Sequence, residues 1–590
     1  MSHPRLKQNP RRPTAAPIGD HLQIGGVSIA VMKSPPRVRG VWRPTLFPFH
    51  RPSSVRRANP SALPAAGALL AGCLAFGVLF TDLLAPLYVK GPPAGATEAA
   101  FRRDLDRQIP LILDRYRVPG VVIGTIVHGD PGQIYAYGVA DKSRGTPMTG
   151  RTVFPVASLA KAVTAWGVMT LVDAGKIDLD QPAERYLAHW PLAVSKFPSG
   201  AVTVRQLLTH TAGVNGGDDE FRRPDERPAD PAELLGRSGP VVSGRRGQAT
   251  LVAPAGRTFL YSPAGYTLLQ MLIEQQTGRP FADYMRDAVL GPLGMTASTY
   301  QWTAAPPRAV ATPYLSDGAS QPVRLAQDVA ADGLFSTAED LVRFVAAPVA
   351  GQDLPVGAGV ISDRTARELF LRPPRFSRSD MAILGADAPC LGCFIEQSAG
   401  GPVVISGVGA DPGGSMEFHA VPSTGDGLVV LTNSSHSELA IAEIDALWAG
   451  WRGLPPPQTV RSFRTLIGPA IAVVSVVSAA VIVIAFSCLG GVLAGRRRFA
   501  DFNAHAGLES LLDLALVGAA AYGWFLWRET VAEAPALAVV LKANLAVMVA
   551  VATGRLLFPR DRTAAGARPA PTRRRVAARA AGQALASDEA

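Results

Sequence analysis

Four cysteines in 590 residues is the first scarcity. Cys73 and Cys488 sit inside long apolar runs, where a small apolar side chain suffices. Cys390 and Cys393 form Cys-Leu-Gly-Cys with no second Cys or His pair nearby to complete a tetrahedral zinc site. No metal and no other cofactor is expected, and the pair reads as a structural bridge or as two buried thiols. Lysine is also scarce: after Lys161 only Lys176, Lys196 and Lys542 follow, and arginine supplies nearly all other positive charge. Lacking too is a basic middle. Of the formal total of +11, residues 1–60 hold +10 (eleven Lys/Arg against Asp20) and residues 559–590 hold +4, which leaves −3 for the rest. A slightly acidic middle excludes a nucleic-acid-binding core, which needs a basic face.

What the chain does have is long apolar runs. Residues 1–60 are Pro- and Arg-rich without periodicity and read as a disordered, cytoplasmic N-terminus. Residues 61–90, 464–495, 510–528 and 535–558 are apolar enough and long enough to be read as four transmembrane helices. Arg51, Arg56 and Arg57 precede the first, and Arg496, Arg497 and Arg498 close the second. The positive-inside rule then puts both termini, including the basic tail 559–590, in the cytoplasm and residues 91–455 outside it. A cleaved signal peptide is the rival for the first run, but the basic leader is far longer than an n-region. Asp513 and Lys542 fall inside spans on opposite halves of the bilayer, which suits snorkelling or helix packing better than transport.

Within 91–455 the most informative stretch is Phe154-Pro155-Val156-Ala157-Ser158-Leu159-Ala160-Lys161. If a helix begins near Ser158, Lys161 lies on the same face, near enough to touch the serine hydroxyl. A serine is a weak nucleophile until a neighbour manages its proton, and a helix N-terminus favours the negative charge of acyl transfer. Alone, the pair also fits an N-cap serine and a solvated first-turn lysine. The small and apolar neighbours Val156, Ala157, Leu159, Ala160, Ala162 and Val163 argue instead for a partly buried lysine.

Around this stretch the domain reads as mixed helix and strand. Residues 121–127 and 133–139 are strand-like, separated by a turn containing Asp130-Pro131-Gly132, and 162–174 continue the helix to a stop at Gly175. Residues 403–408, 416–421 and 427–432 read as further strands and 438–451 as a closing helix. Early strands, a helical middle and returning strands give one α+β domain.

Several motifs then occur in a telling order. They are Ser158-Leu159-Ala160-Lys161, the stretch from Thr203 to Gly213 around Thr209-His210-Thr211, Tyr261-Ser262-Pro263, Gly291-Pro292-Leu293-Gly294-Met295, and Gly333-Leu334-Phe335-Ser336-Thr337. In that order they resemble the serine β-lactamase-like hydrolases, most closely the class C β-lactamase, D-alanyl-D-alanine carboxypeptidase and esterase branch. The resemblance covers most of 91–455 and none of the four spans. It implies a β-lactamase/transpeptidase-like fold: an antiparallel sheet flanked by helices, plus a helical region. It further implies that Ser158 forms an acyl-enzyme, that Lys161 keeps the proton network poised, and that Tyr261 is general base and then general acid. His210 with Asp218 invites a triad, but the family uses that stretch as a structural turn.

Two positions depart from the pattern. Pro263 stands where the second motif offers an asparagine, and Gly407-Val408-Gly409 lacks the Lys or His of the third. A grip on a substrate carboxylate is thereby lost, while a backbone N–H near Gly409 and Ala410 remains available, with Ser158, for an oxyanion hole. Esters and uncharged amides are favoured over penicillin-type substrates. The expected protein is a membrane-anchored serine hydrolase acting on a small-molecule or cell-envelope acyl substrate. Its arginine-rich, lysine-poor composition fits a GC-rich bacterium, and its place is the cytoplasmic (inner) membrane with the catalytic domain outside. The alternative is an inactive domain that binds envelope ligands or a partner.

Overall fold

The computed structural model describes residues 89–456, together with Val460 and the strands Gln23–Ile24 and Val27–Ser28. Short breaks fall at 218–220, 227–228, 238, 240, 243–244, 303–309, 316, 350–355, 374–380, 382–385, 398–399 and 436. The two short strands pair antiparallel in a unit of their own. Among the described residues no helix is long and apolar enough to cross a membrane. The four expected spans lie outside them, but for Val89 and Lys90 at the end of the first.

In chain order the elements that matter begin with α1 (Glu98–Tyr116), β1 (Gly120–Val127), β2 (Asp130–Asp141), β3 (Thr146–Pro147) and α2 (Ala160–Asp173). Next come α3 (Val204–Leu208), α4 (Pro263–Thr277), α5 (Val329–Asp332) and α6 (Ala338–Ala346). The last are β4 (Ala388–Pro389), β5 (Phe394–Gln397), β6 (Val403–Asp411), β7 (Gly414–Val421), β8 (Asp426–Thr432) and α7 (Glu438–Arg452). The strands form one antiparallel sheet in the order β4-β5-β6-β7-β8-β1-β2-β3. The first strands of the domain thus pair with its last, which is why a single α+β unit needs both ends.

Each face of the sheet is covered for a reason visible in the side chains. Thr97 caps α1 and Glu98 complements its dipole, while Phe101, Leu105, Ile109 and Ile112 recur at helical spacing and are fully buried. They meet α7 behind the sheet: Phe101 stacks on Trp451 at 4.3 Å between centroids, and Arg115 of α1 holds Glu443 of α7 at 2.7 Å. On the other face α6 packs on β1 and β8. There α2, buried almost all round, fills the middle of the helical region.

Three expectations are sharpened by the structure. Asp130-Pro131-Gly132 is not the turn between the first two strands. His128 and Gly129 are, at φ 55° and 89°, and those positive angles make the two-residue hairpin turn whose twist suits the strands. Helix α2 starts at Ala160, preceded by a 3₁₀ turn at Ala157–Leu159, so Ser158 is not an N-cap and makes no capping bond. Cys390 and Cys393 are bonded, resolving the two alternatives left by the sequence. Their loop packs on α2: a Cβ on Gly392 would stand 2.7 Å from the Lys161 carbonyl oxygen.

Candidate active site

Ser158 is presented by the turn before α2. Ala157, just ahead of it, holds φ at 46°, a left-handed angle that costs a non-glycine residue energy and that the surrounding packing must enforce. Lys161 follows one helical turn later and is 2% exposed. Tyr261 arrives at the entrance to α4 and is 37% exposed, so the site opens to solvent on its side. Ser262 caps α4, and Pro263 begins it, a position whose N–H would have no partner in the helix anyway. The departure at Pro263 therefore suits the helix start while withholding an amide side chain from the site.

The three expected residues come together. Lys161 Nζ donates to Ser158 Oγ at 2.9 Å and Tyr261 Oη donates to the same oxygen at 2.7 Å. A fourth residue joins them. Ser158 Oγ donates to Asp332 Oδ1 at 2.6 Å, and Lys161 Nζ reaches Asp332 Oδ1 at 3.1 Å and the Ala331 carbonyl at 3.2 Å. Burial alone would lower the Lys161 amine, yet the charge of Asp332 and then the Tyr261 oxygen outweigh it and raise it above its ordinary value. All three ammonium hydrogens have acceptors. Lys161 is thus a fixed positive charge beside the nucleophile.

Gly409 and Ala410 lie on β6 beyond Ser406, the last residue that β5 pairs. A Cβ on Gly409 would meet the Val156 carbonyl at 2.4 Å, so glycine is what lets this edge approach the serine turn. Ala410 and Asp411 line a small pocket with Ala157, Asp332, Phe221 and Arg324. At Gly407 a Cβ would stand 2.3 Å from the Phe418 ring, which fills the space a third-motif side chain would need.

His210 does not form a triad. Its Nδ1 accepts from the Ser262 N–H at 3.1 Å, and its ring packs on Tyr261 at 4.4 Å between centroids. Burial, and then the Lys161 charge, push the imidazole down to about 3, so it is neutral and positions the tyrosine. Asp218, its conjectured partner, lies outside the described residues.

Asp332 and Asp411 were missed by sequence reasoning, although Asp332 directly precedes Gly333 and Asp411 closely follows Gly409. Burial pushes the Asp411 carboxyl up to about 7, against backbone N–H groups of Gly414 and Gly413, and Asp332 adds to the rise. The folded form therefore binds this proton more tightly than the unfolded chain, where a carboxyl titrates near 4. Its contribution to stability is complete below about pH 4 and is lost as pH rises through about 7. Asp411→Asn is expected to melt several degrees above wild type at pH 8 and level with it at pH 4, measured by calorimetry at both pH values.

A second titratable group lies behind the sheet. Ligand atoms of Glu396, Glu417 and His419 lie within 4.8 Å of one another, and His419 Nε2 stands 3.0 Å from Glu417 and 3.5 Å from Asp445. Burial would lower the imidazole, but those two carboxylates outweigh it and hold it charged. This is an ion-pair network against Trp448, on the face away from Ser158.

Comparison with known proteins identifies the family. The family model described as Beta-lactamase matches residues 98–449. The chain belongs to the beta-lactamase family. It is 31% identical to Esterase EstB of Burkholderia gladioli over 246 residues, 40% of this chain and 60% of that one. It is also 31% identical to Penicillin-binding protein 4 of Amycolatopsis lactamdurans over 191 residues, 31% and 45% of the two chains. The alignments thus span roughly half of these curated relatives. Among solved structures, SurE with D-Leu is 25% identical at a TM-score of 0.48, over 60% of this chain and 76% of that one. The domain has the β-lactamase/transpeptidase-like α+β fold that was expected, an antiparallel sheet with helices on both faces.

Proposed function

We propose that the domain is a serine hydrolase that takes an acyl group from an ester or uncharged amide onto Ser158 and passes it to water. The observation that carries this reading is the Ser158 hydroxyl, held by Lys161, Tyr261 and Asp332 at the open end of a buried helix. The attacking Oγ would form an ester with the acyl carbon while the carbonyl oxygen gains negative charge beside the Lys161 ammonium and the free edge of β6. Tyr261, exposed and hydrogen-bonded to Oγ, stands between Ser158 and solvent, where a leaving group needs a proton.

Esters are favoured by the two missing side chains. Penicillin-type substrates bear a carboxylate, and neither Pro263 nor Gly407 offers a side-chain amide or cation to hold it. The expected result is hydrolysis of p-nitrophenyl and short alkyl esters by the purified protein without a penicillin adduct in intact-mass spectra. A penicillin adduct on Ser158 would replace this substrate assignment with the penicillin-recognising one. The same missing side chains favour the second reading, an envelope-ligand-binding domain without turnover, which a folded protein inert to esters and amides alike but retaining envelope fragments in a binding assay would support.

The four apolar segments support a membrane-anchored protein whose domain faces the bacterial exterior or periplasm and meets envelope acyl groups there. Protease added to intact spheroplasts should then digest the domain, and full protection would overturn that placement.

A further inference from the structure

We propose that Asp332, at the end of α5, is the base that takes the Ser158 proton during acylation, with Tyr261 left to protonate the leaving group. The inference rests on the hydrolase reading above and deepens it. A serine hydroxyl has one proton and two lone pairs. Here both lone pairs are occupied, by donation from Lys161 Nζ and from Tyr261 Oη, and the proton points at Asp332 Oδ1 at 2.6 Å. Lys161 cannot accept it, because its three hydrogens go to Ser158 Oγ, Asp332 Oδ1 and the Ala331 carbonyl. Tyr261 holds its own proton toward Ser158 and is the donor in that contact. Of the four groups only the carboxylate has both the position and the free acceptor capacity.

The cycle balances. As Ser158 Oγ bonds to the acyl carbon, its proton moves to Asp332, and Tyr261 gives its proton to the departing alkoxide or amine. The resulting phenolate is countered by Lys161 Nζ, 5.0 Å from the ring centroid. Water then attacks the acyl-enzyme, losing its proton to the phenolate, and Asp332 returns its proton to the released Ser158 oxygen. Both carriers end as they began. The charged and titratable groups facing Asp332 are Lys161 from α2, Asp411 from β6 and Arg324 across the small pocket. Lys161 lies nearest, at 3.1 Å from Asp332 Oδ1.

The test is the pre-steady-state burst of p-nitrophenyl acetate and its pH dependence for wild type and Asp332→Asn, with folding checked by near-UV circular dichroism. Asparagine keeps the shape and an acceptor oxygen but takes up no proton. The expected result is a burst rate lower by about a hundredfold or more, with the neutral plateau of wild type replaced by a rise in proportion to hydroxide. A rate within about threefold of wild type, or a lower rate with an unchanged pH profile, would overturn the proposal and leave the hydrolase reading intact. If Asp332→Asn does not fold, Asp332→Ala with added formate decides: a formate-dependent return of the burst supports the assignment, and its absence overturns it. A wild-type protein that shows neither burst nor Ser158 adduct would fail the hydrolase reading itself, and the proposal with it.

Discussion

Lys161→Met slows acylation of Ser158 by about a thousandfold or more, the loss expected when a fixed charge beside a developing oxyanion is removed. The same substitution leaves Asp332 without its nearest cation in a site where Lys161 is 2% exposed and the Asp332 side chain 15%. Breaking a buried ion pair by removing one partner costs on the order of 3 kcal/mol or more, so the variant is also less stable to urea. Lys161→Arg does not rescue the rate. The ammonium sits 5.0 Å from the Tyr261 ring centroid and 5.8 Å from that of Tyr266, and its three donors converge on acceptors that a planar fork cannot reach together. Single-turnover labelling and urea melts of both variants measure the two effects separately. A methionine variant acylated within tenfold of wild type would mean that the Lys161 charge is structural alone.

Tyr261→Phe lowers kcat/KM for alkyl esters by about 10²–10⁴-fold while lowering that for p-nitrophenyl esters much less. An alkoxide leaves only with a proton, whereas p-nitrophenolate leaves without one. The phenyl ring keeps the packing on His210, so the fold is undisturbed. The informative quantity is the ratio of kcat/KM for the two ester classes. An equal loss on both would place Tyr261 in positioning the serine rather than in delivering the proton.

The sequence made the periodic parts of this molecule legible. The paired strands β6, β7 and β8 and helix α7 appear in it as alternating or helical apolar patterns, because burial on a sheet face or a helix stripe repeats at fixed spacing. The first hairpin turn lies at the start of the expected gap 128–132: Asp130-Pro131-Gly132 has turn-forming residues, yet the positive angles fall on His128 and Gly129. Ser158 and Lys161 were legible as a local pair because three residues of helix bring them into contact. Tyr261 depended on the order of motifs, since 103 residues separate it from Ser158. Asp332 had no such signal. It meets Ser158 and Lys161 across 174 and 171 residues from a four-residue helix too short to carry a pattern, so only the fold places its carboxylate on the nucleophile.

The central claim is that Ser158 is the acylated nucleophile. Its most direct test is intact-mass analysis and peptide mapping of the protein after treatment with a fluorophosphonate, alongside Ser158→Ala. One adduct per chain on the peptide containing Ser158, absent from Ser158→Ala, is the predicted result. An adduct elsewhere, or one that survives in Ser158→Ala, would contradict it.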